Sequence, residues 1–571
     1  MHTKPWLAHY DPPVPHTLDF PALTVVDILQ RAVREYPNKP CTIFQGAALS
    51  YKEVDELSDR MAAGLATLGV RKGQRIGLFI PNTPQFVIAY FAILKLGAVV
   101  VATDPLYTPR ELEYQVNDAG VELMVVMTNN YAKVKEVQPR TRIRQVIATN
   151  IKEYLPPVKK LLFGLLKEKK AGFRVQLRDN DVWMGDLIAA HTPSQQPQVP
   201  ITPDDTALLQ YSGGTTGRSK GVVAVHRGLV ANTAQIDAWN HEGEQGNEMV
   251  LLAIPMYHAY GMVVGMLYGM WKGGSLVMIP DPRNVGDVLA NIQKYKATTF
   301  PGVPAMYNAI NNHPDVKAGK YNLSSIRFCI SGSAPLLRDT KERFEALTGG
   351  HLLEGYGLSE TPVATHCNPL TGLNKTGSIG MPLPGVDCRI VSLQDGVTVL
   401  KQGEIGELVI KGPQVMRGYH NLPTETMDVL KEGWLYTGDI ASMDADGYFY
   451  IIDRKKELVK VGGYQVWPRE VEEVLQQHPA VREVGAAGLP DAESGEAIHA
   501  WVVLHEGPLL YGDQAVTPDE LRAWCKQHLA PYKVPRGFTF IDKLPRTNVG
   551  KLLRRELVRM HSMPKHQEQA S

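Results

Sequence analysis

The 571-residue sequence has few cysteines, almost no net charge and no clean apolar run long enough for a membrane span. Its five cysteines, Cys41, Cys329, Cys367, Cys388 and Cys525, are odd in number, far apart and without a CxxC pair. That pattern excludes a disulfide framework and a cysteine-based structural zinc site, and it fits a reducing, cytoplasmic setting. Lys and Arg number 60 against 59 Asp and Glu, a net charge of +1, so no basic nucleic-acid surface or acidic tail dominates. No nucleic-acid partner is expected. The first residues lack the apolar core of a signal peptide, and the polar end, Glu568-Gln569-Ala570-Ser571, carries no lipidation or retention signal. Residues 249–271 imitate a membrane span, with Gly261, Gly265 and Gly269 at GxxxG spacing, but Pro255 breaks the run and His258 would be costly in lipid. This stretch is expected in a protein core, as a strand over 251–254 followed by a helix.

Hydrophobic residues at 44% and charged residues at 21% are those of a soluble globular protein, and the length allows two or more domains. Val54, Leu57, Met61, Leu65 and Leu68 recur at helical spacing and Gly69 closes that helix. Short apolar runs at 75–80, 98–102 and 122–127 alternate with helical patterns at 86–96 and 109–118. Such alternation predicts an α/β fold of βαβ units with a parallel sheet. Between 404 and 451 the runs are shorter and separated by Gly and Asp turns, which predicts a small antiparallel β subdomain. After Asp453-Arg454-Lys455-Lys456 the pattern becomes mixed α+β, with a helix over 468–477 and a strand over 499–504. A capping box, Thr517-Pro518-Asp519-Glu520, opens a helix reaching about His528. A boundary is placed between a large domain, 1–455, and a small one, 456–571.

One local charge excess stands out. Residues 152–174 hold Lys152, Lys159, Lys160, Lys167, Lys169, Lys170 and Arg174 against Glu153 and Glu168, with Val158, Leu161, Leu162, Leu165 and Leu166 as an apolar stripe. This segment is either an interfacial helix resting on anionic lipid or a surface helix with its apolar face packed on the domain.

The densest chemical signal is Tyr211-Ser212-Gly213-Gly214-Thr215-Thr216-Gly217-Arg218-Ser219-Lys220-Gly221. Glycines let backbone N–H groups converge, hydroxyls donate to phosphate oxygens, and the lysine neutralises charge. The order Ser219-Lys220-Gly221 is not that of a Walker A loop. Residues 217–221 also match GxSxG, but that nucleophile elbow must run straight into a helix, whereas Val222-Val223-Ala224-Val225 favours extended chain.

This loop resembles the phosphate-binding motif of the acyl-adenylate-forming superfamily, which includes acyl-CoA synthetases, luciferases and peptide-synthetase adenylation domains. Five further matches follow in order: Gly332-Ser333-Ala334-Pro335, Glu354-Gly355-Tyr356-Gly357-Leu358-Ser359-Glu360, Trp434-Leu435-Tyr436-Thr437-Gly438-Asp439, Asp453-Arg454-Lys455-Lys456-Glu457, and Pro545-Arg546-Thr547-Asn548-Val549-Gly550-Lys551. The resemblance implies that ATP lies between the phosphate loop and a wall made by Tyr356 and the 332–335 loop. It assigns Asp439 and Arg454 to the ribose, and Thr215 with Glu360 to Mg2+. Lys551 becomes the lysine that spans the substrate carboxylate and the α-phosphate, where its charge offsets the repulsion of two anions. The small domain then turns about a hinge at Lys456, and Lys460-Val461-Gly462-Gly463 comes to the active site for thioester formation with coenzyme A.

Within the superfamily the sequence is most similar to bacterial long-chain fatty-acid–CoA ligases, through Leu353-Glu354-Gly355-Tyr356-Gly357, Lys411-Gly412-Pro413-Gln414-Val415-Met416, Tyr532-Lys533-Val534-Pro535 and Gly550-Lys551-Leu552-Leu553-Arg554-Arg555. The implied activity is ATP-dependent conversion of medium- or long-chain fatty acids to acyl-adenylate and then acyl-CoA. Contact with the inner face of the cytoplasmic membrane through 152–174 suits such an acid, and a homodimer is compatible with the sequence. His258, in Pro255-Met256-Tyr257-His258, matches the acyl-pocket motif and is read as a pocket-shaping group, because the carboxylate nucleophile is already ionised. Ser219 stands where most relatives have proline, and Lys456 where many have aspartate. The competing readings are a fatty acyl-AMP ligase that loads a carrier protein, and a non-catalytic membrane-associated lipid-uptake protein.

Overall fold

The structure, a computed structural model, describes residues 4–212, 219–505, 510–511, 514–547 and 550–562. The chain groups into two compact units.

The larger unit comprises Met1–Ser212, Ser219–Asp387 and Lys411–Leu435. Its central sheet has eight strands in the order Gly418–Tyr419, Lys220–Val225, Thr206–Ser212, Val99–Ala102, Arg75–Phe79, Leu123–Met127, Gln145–Thr149 and Val182–Trp183. From Thr206–Ser212 to Val182–Trp183 every neighbouring pair is parallel, as the alternating pattern predicted. The crossover helices start where local chemistry sets them. Ser50 and Glu53 form a capping box at the head of Tyr51–Thr67, and Thr108 and Glu111 form another before Pro109–Ala119. Helix Pro84–Lys95 is apolar on all faces and wholly buried. Its lone charge, Lys95, is neutralised by Asp55 at 2.7 Å and Asp59 at 2.5 Å.

The apolar stretch 249–271 lies inside this unit. It forms the strand Met249–Leu252, a wide π-type turn over Gly261–Leu267 and the helix Tyr268–Trp271. Two of the glycines at GxxxG spacing face strands: a Cβ on Gly265 would lie 2.2 Å from Leu252 Cδ2, and one on Gly269 would lie 2.5 Å from Leu276 Cδ2. Among the described residues no helix is long and apolar enough to cross a membrane.

The smaller unit comprises Cys388–Ile410 and the chain from Tyr436 onward. Antiparallel strands Trp434–Met443 and Phe449–Arg454 belong to the predicted β subdomain. The α+β part is built on the long hairpin of Val481–Asp491 and Gly495–Leu504, with Gly537–Phe540 parallel to the second strand. Helices Pro468–Gln476 and Pro518–His528 cover a core that includes Val471, Leu475, Ile498, Val502, Leu521 and Cys525.

The chain passes between the compact units at 387/388, 410/411 and 435/436, so both sides of the 455/456 boundary lie in the smaller one. Hydrogen bonds hold those two sides together. The Arg469 backbone N–H donates to Asp453 Oδ2 at 2.9 Å, and its guanidinium donates to Ile451 O at 2.9 Å, joining the strand Phe449–Arg454 to the first turn of the next helix. Burial of Asp453 makes those bonds obligatory.

Candidate active site

In the larger unit, parallel pairing brings two motifs to the same edge. Strand Phe328–Ser331 pairs with His351–Leu358, with Ser331 opposite Glu354. The 332–335 loop therefore leaves the sheet beside Glu354, where the Gly355–Tyr356–Gly357 segment runs on in its strand as the partner of Val363–Cys367. Tyr260 props the loop by donating to Ile330 O at 2.6 Å and Gly302 O at 3.0 Å. Glu354 is buried and accepts from the Leu336 backbone N–H at 3.4 Å. Ser333 sits at φ +70°. The strand pairing slips between Tyr356 and Gly357, and a Cβ on Gly357 would lie 1.4 Å from Val363 O, so only glycine fits. Tyr356 packs edge-on against His366 at 5.8 Å; burial pushes that imidazole down to about 3, which makes it a neutral prop.

The phosphate-loop motif spans the turn of a hairpin in which Ser212 pairs with Lys220 and Tyr211 with Gly221. The residues called as its phosphate contacts, Gly213, Gly214, Thr215, Thr216 and Gly217, lie outside the described residues, as does the metal-site role of Thr215. The hairpin base is well tied: Tyr211 Oη donates to Asp118 at 2.6 Å, and Tyr114 Oη donates to Ser219 O at 2.9 Å. Lys220 opens the strand Lys220–Val225, not a helix, so the nucleophile-elbow reading is excluded.

Tyr419 was not singled out from the sequence, yet it joins two residues that were. Paired with Val222, it donates from its phenol to Glu360 Oε1 at 2.8 Å, while Lys220 Nζ stands 4.8 Å over its ring. Burial first, and Glu360 second, push the phenol upward, so it remains a donor. The strand Gly418–Tyr419 that carries it is too short for a periodicity to show in the sequence. Among the described residues no group of three or more His, Cys, Asp or Glu could hold a metal. Glu360 as a single carboxylate fits Mg2+, which typically takes one or two protein carboxylates and completes its shell with phosphates and water.

At the predicted acyl pocket, His258 Nδ1 accepts from the Tyr260 backbone N–H at 3.2 Å, which leaves Nε2 to carry the ring proton. Met256, Met262, Met266 and Met270 are all buried beside it in sequence.

The smaller unit carries Asp439, Arg454 and Lys551. Asp439 and Arg454 are opposite each other on antiparallel strands, and Arg454 Nε lies 3.1 Å from Asp439 Oδ1. Asp439 is buried and accepts no burden of placement alone: Thr437 Oγ1 receives its backbone N–H at 3.0 Å and donates to Leu408 O at 2.7 Å. Glu407, another residue not foreseen, accepts from Gly438 N at 3.1 Å and pairs with Lys455 at 2.7 Å.

Lys551 lies within electrostatic reach of this pair. Burial, and then the Arg454 guanidinium, pull its amine down to about 8, against the opposing pull of Asp439 and Glu457. Its loop is closed by Thr547 N–H to Lys551 O at 2.8 Å and by Lys551 N–H to Thr547 Oγ1 at 3.1 Å, with Gly550 at φ +81°. Lys456 lies in the short 3₁₀ turn Lys455–Glu457. Lys460, Gly462 and Gly463 occupy a separate hairpin, where Gly462 at φ +55° and Gly463 at φ +87° make the two-residue turn. Lys460 is exposed and the space around both glycines is open.

The larger unit is an α/β fold with Tyr356 edge-on to His366, and the smaller unit pairs Asp439 with Arg454 within electrostatic reach of Lys551. The sequence profile of the AMP-binding enzyme family matches residues 29–420, and that of the AMP-binding enzyme C-terminal domain matches 470–551. The chain belongs to the AMP-binding enzyme family. It is 41% identical over 558 residues to a long-chain-fatty-acid–CoA ligase of Bacillus subtilis (strain 168), covering 97% of this chain and 98% of that one. It is 36% identical to the enzyme of the same name from Escherichia coli O157:H7, again over 97% and 98%. Among solved structures it resembles ATP-bound MatB from Rhodopseudomonas palustris, with a TM-score of 0.80, 27% identity, and coverage of 94% and 99%.

Proposed function

We propose that this protein is an acyl-CoA synthetase that activates medium- or long-chain fatty acids with ATP and transfers them to coenzyme A. The observation that carries this reading is the pairing of buried Asp439 with Arg454 at 3.1 Å, with Lys551 within electrostatic reach of both in the smaller unit. Asp439 accepts from the ribose hydroxyls while Arg454 adds a fixed donor fork. A carboxylate oxygen attacks the α-phosphorus, the bond to pyrophosphate breaks, and the Lys551 ammonium offsets the charge crowded at that phosphorus. Glu360 is the residue that would hold Mg2+, which supplies charge neutralisation on the phosphates. Turning about Lys456 then withdraws Lys551. The thiol of coenzyme A attacks the acyl carbonyl, AMP leaves, and the Lys460–Gly463 hairpin lines the pantetheine path. Pyrophosphate release measured across straight-chain acids from acetate to stearate tests the reading: turnover rising towards the long acids with free acyl-CoA as product supports it. Product found only on a carrier-protein thiol refutes it.

Contact with an anionic membrane belongs to the same proposal. Helix Pro157–Leu166 turns Val158, Leu161, Leu162, Leu165 and Leu166 outward at 50–73% exposure, so its apolar stripe is not packed on the domain. Buried Glu168 anchors the segment through Lys152 at 2.6 Å and Asn150 at 3.0 Å. Five exposed apolar side chains flanked by lysines suit a lipid surface. Sedimentation with phosphatidylglycerol vesicles should fall for Leu161→Ser/Leu165→Ser; unchanged sedimentation contradicts the contact.

A further inference from the structure

The turn at Lys455–Glu457 is bridged by a compact set of bonds inside the smaller unit, and these bonds bear on where Lys551 sits. Before the turn, strand Phe449–Arg454 offers Ile451 O and the buried Asp453 carboxylate. After it, Arg469 donates its backbone N–H to Asp453 Oδ2 at 2.9 Å and its Nη1 to Ile451 O at 2.9 Å. Arg554, three residues beyond Lys551, adds its Nη1 at 3.8 Å from Asp453 Oδ1. Arg554 also contacts Glu457, bonds Glu472 at 2.7 and 3.1 Å, and donates to Ala486 O at 3.0 Å.

These contacts fall into two sets. The bonds from Arg554 to Glu457, Glu472 and Ala486 lie wholly after Lys456, on the same side as Lys551, and would travel with it through any turn about that residue. The bonds of Arg469 to Ile451 and Asp453, and the approach of Arg554 to Asp453, cross Lys456. They exist only while the segment after Lys456 rests on the strand that carries Arg454. That is the arrangement in which Lys551 feels Arg454 and Asp439. Two carboxylates and a backbone carbonyl around one guanidinium tie the travelling set together, so Lys551 is delivered or withdrawn with it as a body. The crossing set is smaller: one backbone N–H bond and one guanidinium bond from Arg469, with Arg554 standing 3.8 Å from Asp453.

We propose that Arg469, through Ile451 and Asp453, is a positioning residue that clasps the segment after Lys456 in the adenylating arrangement and so sets Lys551 beside Asp439 and Arg454. The inference rests on the reading of Lys456 as the hinge and Lys551 as the adenylation lysine. Its role is distinct from theirs, because Arg469 touches neither nucleotide site nor hinge residue. The clasp predicts an asymmetry between half-reactions that general loss of structure does not produce.

The test compares Arg469→Ala, Arg469→Lys, Asp453→Asn and Glu473→Ala in the full-length protein, with Lys551→Ala as reference. Arg469→Ala removes the Ile451 bond and the 3.0 Å pair with Glu473 but keeps the backbone bond to Asp453. ATP–pyrophosphate exchange should fall about tenfold, while thioester formation from supplied acyl-adenylate stays the same or rises. Arg469→Lys should restore part of the exchange, and Asp453→Asn should shift the two half-reactions in the same opposite directions. Glu473→Ala, which breaks only the exposed pair, should change neither. Equal loss of both half-reactions in Arg469→Ala and Asp453→Asn, or no change in either variant, overturns the clasp. If Lys551→Ala itself leaves exchange intact, the underlying assignment of Lys551 fails instead, and the two failures are told apart.

Discussion

Replacing Lys551 by alanine separates what its amine contributes to the reaction from what it costs the fold. Burial and the neighbouring Arg454 hold the amine at about 8, against an ordinary 10.5. At about 1.4 kcal/mol for each tenfold change, that displacement makes the protonated lysine a burden of ~3 kcal/mol on the folded state. The sign follows from proton uptake. Between pH 8 and 10.5 the unfolded chain holds the proton and the folded chain does not, so the native protein gains stability as pH rises through that window. Below pH 8 both states are protonated and the full burden applies. Lys551→Ala should therefore unfold at higher denaturant concentration than the parent at pH 7, by up to ~3 kcal/mol, and the advantage should vanish near pH 10.5. The same variant should lose ATP–pyrophosphate exchange by on the order of 100- to 1,000-fold, the usual effect of removing one charge-stabilising donor. Thioester formation from supplied acyl-adenylate should survive. In the parent, exchange at limiting ATP should decline as pH climbs through about 8, because the ammonium is the active form. Paired guanidinium denaturation curves and radiolabelled pyrophosphate exchange measure both effects. A variant less stable than the parent at pH 7, with both half-reactions lost equally, would refute the reasoning.

Other substitutions probe the larger unit. Gly357→Ala places a methyl 1.4 Å from Val363 O, and backbone cannot yield there, so the protein should lose several kcal/mol of stability or fail to accumulate; a thermal melt within a degree or two of the parent contradicts the close approach. Tyr419→Phe removes the phenol that donates to Glu360 but keeps the ring under Lys220, so KM for Mg-ATP should rise several-fold with kcat little changed, and an unchanged KM over a Mg2+ titration would discount that bond. Asp439→Asn keeps the shape but removes the charge that Arg454 balances, and should weaken ATP binding tenfold or more by calorimetry; undiminished affinity would remove Asp439 from the ribose site.

Much of the architecture could be read along the chain. Helix starts at Tyr51, Pro109 and Pro518 each rest on a Ser or Thr cap that bonds a Glu three residues on, and that chemistry needs no distant neighbour. The βαβ order showed in the change from helical to strand spacing. What the spacing did not reveal was which apolar faces find a partner. The glycines at 261, 265 and 269 look like a membrane motif in sequence, yet Leu252 and Leu276 press against two of them from strands. The stripe of Leu161, Leu162, Leu165 and Leu166 looks equally packable and is bare.

The order of the chemical motifs, the local caps and the alternation of elements were thus properties of the linear chain, because each depends on contacts within about four residues or on a repeating period. Only the tertiary structure placed Tyr419 on Glu360 across 59 residues and Arg554 on Glu472 across 82, and only it grouped the strands before Lys456 with the helices after it. Burial and charge pairing depend on neighbours that meet through folding, and no local period encodes which of them will arrive.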